Sequence, residues 1–251
     1  MSRLLVASAC ALLSSLAPAA TVFVNSNVYF PQSVVATRWT AKYRFSNTNF
    51  DQSITLPTNA GVNANLGNTQ FLNNQSYDFL LENVVGQGIR FRMTRQATGA
   101  VSTVSWGSSS LGGTNVSAIG GVSPFDGSYN ALKITARATA NTGNPNPSFE
   151  WSNLAFTGLS KQGSFTAGTV TPTTGDAGAL GFSTQYATAT LDLSSVNWTL
   201  TGTIRGTRAG SNSDEITRFT VDAQQVNPVP EPASLAALAV GGFALLRRRR
   251  K

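Results

Sequence analysis

Histidine is absent from this chain of 251 residues, and cysteine occurs only once, at Cys10. Without histidine the chain has no imidazole general base, no Ser-His-Asp triad and no Cys-His nucleophile. Zinc sites of the usual His/Cys type are excluded as well. A single cysteine cannot form a disulfide within the chain. Charged residues are also scarce, at 12%. We therefore predict a protein that is not an enzyme and that binds no metal and no cofactor.

The formal charge of +7 is concentrated near the two ends of the chain. Arg3 and the five basic residues at 247–251 account for six of the 18 Lys and Arg side chains. Residues 20–230 keep 12 basic and 10 acidic side chains, so this body is close to neutral. A near-neutral body gives no reason to expect a nucleic-acid partner.

The N-terminus has the three parts of a secretory signal peptide. Arg3 is followed by an apolar stretch from Leu4 to Leu16 and then by Ala17-Pro18-Ala19. This order predicts export by the general secretion machinery, with a signal peptide at 1–19 cleaved after Ala19 and a mature chain that starts at Ala20. Cys10 lies inside the apolar stretch, and lipidation there is a weaker alternative.

The C-terminus also has three parts. Val229-Pro230-Glu231-Pro232 precedes an apolar run from Leu235 to Leu246, and the chain ends in Arg247, Arg248, Arg249, Arg250 and Lys251. As a helix, residues 233–246 would span about 21 Å, which is short of the roughly 30 Å of a bilayer core. This predicts transient membrane insertion of a short hydrophobic helix, with its basic end on the cytoplasmic side. A permanent tail anchor is the alternative.

This tripartite tail resembles the PEP-CTERM sorting signal. The resemblance implies recognition by an exosortase and removal of the tail during export. It also implies the envelope of a Gram-negative-type bacterium, with exopolysaccharide or biofilm matrix as the setting and exopolysaccharide as a possible partner.

Between the two targeting segments, apolar and polar residues alternate with a period of two. The clearest runs are at 38–45, 89–94, 132–138, 198–205 and 219–223. Further strands are predicted at 77–85, 149–156 and 185–193, separated by segments rich in Gly, Pro, Asn, Ser and Thr. We predict an all-β fold, with one antiparallel β-sandwich, jelly-roll-like, at 20–226 and a linker with the sorting signal at 227–251. Blocks such as Trp198–Thr203 resemble uncharacterised domains attached to the same kind of tail.

Glu150 beside Trp151 is the best candidate for contact with a glycan, because an aromatic ring can stack on a sugar while the carboxylate acts as an acid. The alternative is that Glu150 faces solvent while Trp151 fills the core. Asp78 and Glu82 share a strand face, but four residues separate them by about 13 Å. That distance is too long for a catalytic pair.

Two further clusters have functional and structural interpretations. The oxygen-rich segment 211–215 offers calcium ligands or a solvated turn. Basic stripes at Arg38, Lys42 and Arg44 and at Arg90 and Arg92 would form a patch for acidic polysaccharide if their strands are neighbours. Otherwise they protect strand edges from aggregation.

The prediction for the whole chain is an exported, exosortase-processed extracellular or cell-surface protein with a structural or adhesive role. The alternative is a carbohydrate-binding or glycan-cleaving β-sandwich module. Exposed aromatic side chains on a sheet face, with a nearby pair of carboxylates, would favour the alternative.

Overall fold

A computed structural model describes residues 21–25, 33–44, 52–57, 61–64, 72–107, 111, 127–140, 146–207 and 217–227. Fourteen strands and no α-helix occur among these residues, which confirms the all-β prediction. In chain order the strands are β1 (Thr21–Val24), β2 (Val34–Arg44), β3 (Gln52–Thr55), β4 (Gly61–Ala64), β5 (Ser76–Val84), β6 (Gly88–Arg95), β7 (Val101–Gly107), β8 (Ala131–Thr139), β9 (Ser148–Thr157), β10 (Ser160–Gln162), β11 (Gly168–Val170), β12 (Leu180–Ala189), β13 (Trp198–Thr207) and β14 (Arg218–Val226).

The strands form two sheets. The eight-stranded sheet has the order β10-β1-β12-β8-β14-β2-β3-β4, and the six-stranded sheet has the order β11-β9-β13-β5-β6-β7. From β8 onward, successive strands alternate between the sheets. Within these sheets, the orders β2-β14-β8-β12 and β5-β13-β9-β11 are those of a jelly roll, with β10, β1, β3 and β4 added to the first and β6 and β7 to the second.

The sheets pack through aromatic side chains that lie on alternate positions of each strand. Trp39 on β2 stacks on Trp198 of β13, with ring centroids 6.4 Å apart and an interplanar angle of 12°. Phe219 on β14 contacts Phe79 on β5, with their ring centroids 4.7 Å apart. All four rings are buried and belong to one continuous core. The period-two pattern therefore identifies the buried face of each of these strands.

Two details differ from the prediction. The pairing of β1 with β10 is parallel, from Thr21 opposite Ser160 to Phe23 opposite Gln162, whereas the other strand pairs among the described residues are antiparallel. The strand predicted at 185–193 instead spans Leu180–Ala189. It stops early because Asp192 caps a 3₁₀ turn at Leu193–Ser195, with its side chain accepting from the Ser194 amide.

No helix among the described residues has the length and apolar character needed to cross a membrane. The apolar run Leu235–Leu246 and the predicted signal peptide at 1–19 lie outside those residues.

Candidate functional site

The predicted processing residues lie outside the part of the chain that the structure describes. They are Ala17, Ala19 and Ala20 at the N-terminus and Val229, Pro230, Glu231, Pro232, Arg247, Arg248, Arg249, Arg250 and Lys251 at the C-terminus. The structure does describe the point where the tail leaves the sandwich. The Asn130 side chain donates to the Val226 carbonyl at 3.0 Å and accepts from the Val226 amide at 2.8 Å. The tail therefore follows a firmly held end of β14, a central strand.

Glu150 and Trp151, the candidate glycan contacts, lie on opposite faces of β9. Trp151 is 2% exposed and belongs to the core, while Glu150 lies on the outer face of the six-stranded sheet. The Glu150 carboxylate lies 3.7 Å from the Arg205 guanidinium of the neighbouring β13. One sugar ring on the outer face can therefore reach Glu150 but cannot stack on Trp151.

Trp151 does border a cavity of about 260 Å³ at the side of the sandwich, where Gln185 and Thr166 also lie. The polar groups of this cavity already bind one another. Gln185 accepts from the Asn25 side chain at 2.6 Å and from the Thr166 amide at 2.8 Å, and it donates to the Thr166 carbonyl at 2.6 Å. These hydrogen bonds fasten the loop that contains Thr166 to β12.

The outer face of the six-stranded sheet pairs its charges across the strands. Arg90 binds Glu82 on the adjacent strand, and Arg205 lies beside Glu150. Asp78 accepts hydrogen bonds from Thr203 and from Gln96, each at 2.8 Å. This face is therefore close to electrically balanced, and Asp78 and Glu82 have separate partners.

A shallow cavity of about 290 Å³ lies in the same face, beside Asp78. Its polar lining comes from Arg92, Thr94, Asn153 and the threonines of β13. Asn153 has a positive φ of 54°, at the point where the pairing of β9 with β13 shifts register between Thr201 and Thr203. The irregularity opens the depression, whose lining has one carboxylate, that of Asp78, and one aromatic side chain, that of the buried Phe79.

Every carboxylate in the described part of the chain accepts a hydrogen bond or forms an ion pair. Besides Asp78, Glu82 and Glu150, Asp222 accepts from Thr40 at 2.7 Å and Asp176 from Thr174 at 3.0 Å. Asp192 caps the 3₁₀ turn. No group of three metal-ligating carboxylates, cysteines or histidines occurs among these residues. The calcium candidate at 211–215 lies outside them.

The two predicted basic stripes do not combine into one patch, because β2 belongs to the eight-stranded sheet and β6 to the six-stranded sheet. Arg38 also has hydrogen-bond partners within the protein. Its guanidinium donates to the Ser128 carbonyl at 3.1 Å and to the Gln225 side chain. The sequence could not show that the two stripes lie on different sheets, since no local pattern encodes which strands share a sheet.

A different basic cluster forms on the outer face of the eight-stranded sheet. Arg218 on β14 stands directly opposite Arg44 on β2 and also opposite Arg137 on β8. We call these three residues the arginine row. The next strand continues the row with Phe182, which pairs with Arg137 and is 71% exposed. The row was missed because its members are distant in sequence and meet only through strand pairing.

The electrostatics of the row follow from this proximity. Burial, together with the positive charges of Arg137 and Arg44, lowers the pKa of Arg218, and Asp222 partly opposes the effect. Two rows further along the same face, burial and then the Asp222 carboxylate raise the pKa of Tyr186. The arginine row is thus a concentrated, partly desolvated positive charge beside an exposed aromatic ring.

Comparison with known proteins identifies the tail. Residues 228–251 match the family model of the PEP-CTERM protein-sorting motif. A search of curated proteins found no match to the chain. The chain thus carries the PEP-CTERM motif that its Pro-Glu-Pro triplet, apolar run and basic end predicted, and it is an exported protein with an exosortase-targeted C-terminal sorting signal.

Proposed function

We propose that the protein is a non-enzymatic structural or adhesive component of the cell surface or of the exopolysaccharide and biofilm matrix. The observation that carries this proposal is the sorting motif at 228–251, which targets a β-sandwich body for export. In this proposal the signal peptide is removed after Ala19. The C-terminal segment holds the chain in the inner membrane of a Gram-negative-type bacterium until exosortase processes it.

The chemistry of the described residues supports a role in binding or support rather than in catalysis. A glycosidase needs two carboxyl groups that face one cleft. Here Asp78, Glu82 and Glu150 each bind a different neighbour on the sheet surface. Each of these contacts joins side chains of two adjacent strands.

Carbohydrate binding is the second candidate, and one observation favours it. Phe182 is a large aromatic side chain that is 71% exposed on a sheet face, and Tyr186 lies two positions further along the same face of β12. An exposed aromatic ring on a sheet face offers an apolar surface on which a sugar ring can stack. Lectin domains are among the proteins that use jelly rolls.

The test of the structural role is a deletion strain complemented with the wild-type chain or with a Glu231→Ala variant. An antibody against the body follows the protein through membrane, envelope and matrix fractions. We expect the wild-type chain in the surface or matrix fraction and the variant retained in the membrane, and we expect matrix cohesion to depend on the wild-type chain. Normal cohesion in the deletion strain would contradict the proposal.

A separate assay addresses catalysis. The purified chain is incubated with polysaccharides, and new reducing ends are measured. We expect none. Turnover that is reproducible and disappears in a Glu150→Gln variant would favour the glycan-cleaving alternative.

A further inference from the structure

The arginine row occupies an unusual place in the fold. Its strands β2, β14 and β8 are all interior strands of the eight-stranded sheet. Charges that prevent aggregation are needed on edge strands, where unpaired backbone groups are exposed. Edge protection therefore does not account for Arg44, Arg218 and Arg137.

The row also opposes folding, because like charges directly opposite each other on neighbouring strands destabilise a sheet. On the six-stranded sheet this cost is avoided, since Arg90 binds Glu82 and Arg205 lies beside Glu150. The eight-stranded sheet instead places Arg218 between two other arginines. The sole described acid on the outer faces of β2, β14, β8 and β12 is Asp222, four residues from Arg218 along β14.

The spacing and chemistry of the row indicate the kind of ligand that would relieve this repulsion. Adjacent strands lie about 4.8 Å apart, so the backbones of Arg44 and Arg137 are separated by about 10 Å. That separation is close to the length of two sugar residues in an extended chain. Guanidinium groups bind carboxylates through two parallel hydrogen bonds. Phe182 continues the row on β12 and offers an apolar ring to the C–H face of a pyranose.

We propose that the arginine row and Phe182 bind a linear acidic polysaccharide whose sugar residues carry carboxylates, with the chain running across the strands from β2 to β12. This proposal deepens the proposed adhesive role and rests on it for its biological setting, since it names the matrix component that the body holds. The binding site itself is a property of the sandwich surface and is measurable without that setting.

The experiment measures binding of the full-length chain, purified in a non-ionic detergent, to polygalacturonate. The central variant is Arg218→Gln. It should weaken binding by about tenfold or more, because a charge-assisted hydrogen bond contributes at least that much. Its thermal midpoint should stay the same or rise, because the variant also removes a like-charge contact. Arg218→Lys keeps the charge but loses the planar fork, so its affinity should also fall.

The matched control is Arg92→Gln, which removes the same charge from an exposed position on the outer face of the other sheet. It should leave the affinity within about twofold, since long-range charge alone is screened by salt. Phe182→Ala should weaken binding to polygalacturonate and leave binding to polyphosphate unchanged. Neutral dextran should not bind.

Four results would overturn the proposal. They are no measurable binding to polygalacturonate, equal losses in Arg92→Gln and Arg218→Gln, no effect of Phe182→Ala, and binding to double-stranded DNA or anionic vesicles as tight as to polygalacturonate. If binding fails while the matrix location and cohesion assays succeed, the adhesive role stands and only this site is rejected. If binding succeeds in a protein that the matrix does not need, the site stands and the role is rejected.

Discussion

Replacing Trp198 by alanine tests whether the two sheets are held together by the aromatic stack at the centre of the sandwich. Trp198 is 2% exposed. Its ring stacks on Trp39 of the opposite sheet at 6.4 Å and on Phe156 of the neighbouring strand at 5.8 Å. Its indole N–H donates to the Leu193 carbonyl at 3.0 Å. The substitution therefore removes contacts across the sheets, within one sheet and to the 3₁₀ turn.

The expected loss follows from these three contacts. Truncation of a buried Trp to Ala costs about 3–5 kcal/mol. Each aromatic pair adds about 0.5–1.5 kcal/mol beyond burial, and the Leu193 carbonyl loses its buried donor, which costs about 1–3 kcal/mol. These terms overlap, so we expect a decrease of about 5 kcal/mol in the free energy of unfolding, at the upper end of the range for such substitutions.

Urea unfolding followed by circular dichroism gives the loss directly, and a thermal scan should show the midpoint lowered by about 10 °C or more. Thr199→Ala is the matched control, because Thr199 is the next residue on the same strand and faces outward. Its effect should stay within about 0.5 kcal/mol. A loss below about 1 kcal/mol for Trp198→Ala would refute the argument that this stack holds the sheets together.

Three other predictions concern processing, alkaline stability and redox state. Intact-mass spectrometry of the mature protein should show loss of residues 1–19 and of the basic end at 247–251, and Glu231→Ala should slow the second step; a full-length mature pool would contradict this. Burial raises the pKa of Tyr129 above its ordinary value near 10. The unfolded chain therefore loses this proton first, and stability falls by about 1.4 kcal/mol per pH unit above pH 10 from this residue alone. Tyr129→Phe should lack that component, and parallel urea curves at pH 9 and 11 measure it; an identical pH dependence in both chains would count against the assignment. Because Cys10, the sole cysteine, lies in the predicted signal peptide, the thermal midpoint of the mature protein should be the same with and without dithiothreitol.

The strands with a period of two were predictable from the sequence, and the predictions at 77–85 and 149–156 also match β5 and β9, whereas the shortest strands were not predictable. Strands β2, β6, β8, β13 and β14 coincide with predicted runs because one face of each is buried against the opposite sheet. The short edge strands β10 and β11 have three residues each, too few to establish a period. Strand β4 lies within a segment that its Gly and Asn content indicated as a loop, and pairing with β3 overrides that local preference.

The candidate sites also differ in how far the sequence could predict them. A sorting motif is a contiguous string, so the residues at 229–251 were readable directly from the sequence. The arginine row depends on the partners of β14, which lie 81 and 174 positions away for Arg137 and Arg44. No local pattern carries that information, because strand order results from global packing of the core. The separation of Glu150 from Trp151 was predictable from alternation, since neighbouring residues on a strand face opposite sides.

Strand β14 contains the central residue of the arginine row at its first position, and its last residue leads into the sorting motif. Strand β14 begins at Arg218 and ends at Val226, and the sorting motif starts two residues later. At about 3.3 Å per residue, the row lies roughly 26 Å along the strand from the point where the tail leaves the sandwich. Arg44 ends β2 and Arg137 lies near the end of β8, and both lie at the Arg218 end of β14.

If the tail is held in the membrane during sorting, the arginine row would lie at the end of β14 that is farther from the tail. Attraction to anionic lipid headgroups falls off within a Debye length of about 8 Å at physiological salt, so at that distance it would be weak. An acidic polymer on the outer side of that membrane could then reach the row before the tail is removed. The arrangement therefore favours a soluble acidic chain over the membrane surface as the ligand of the row.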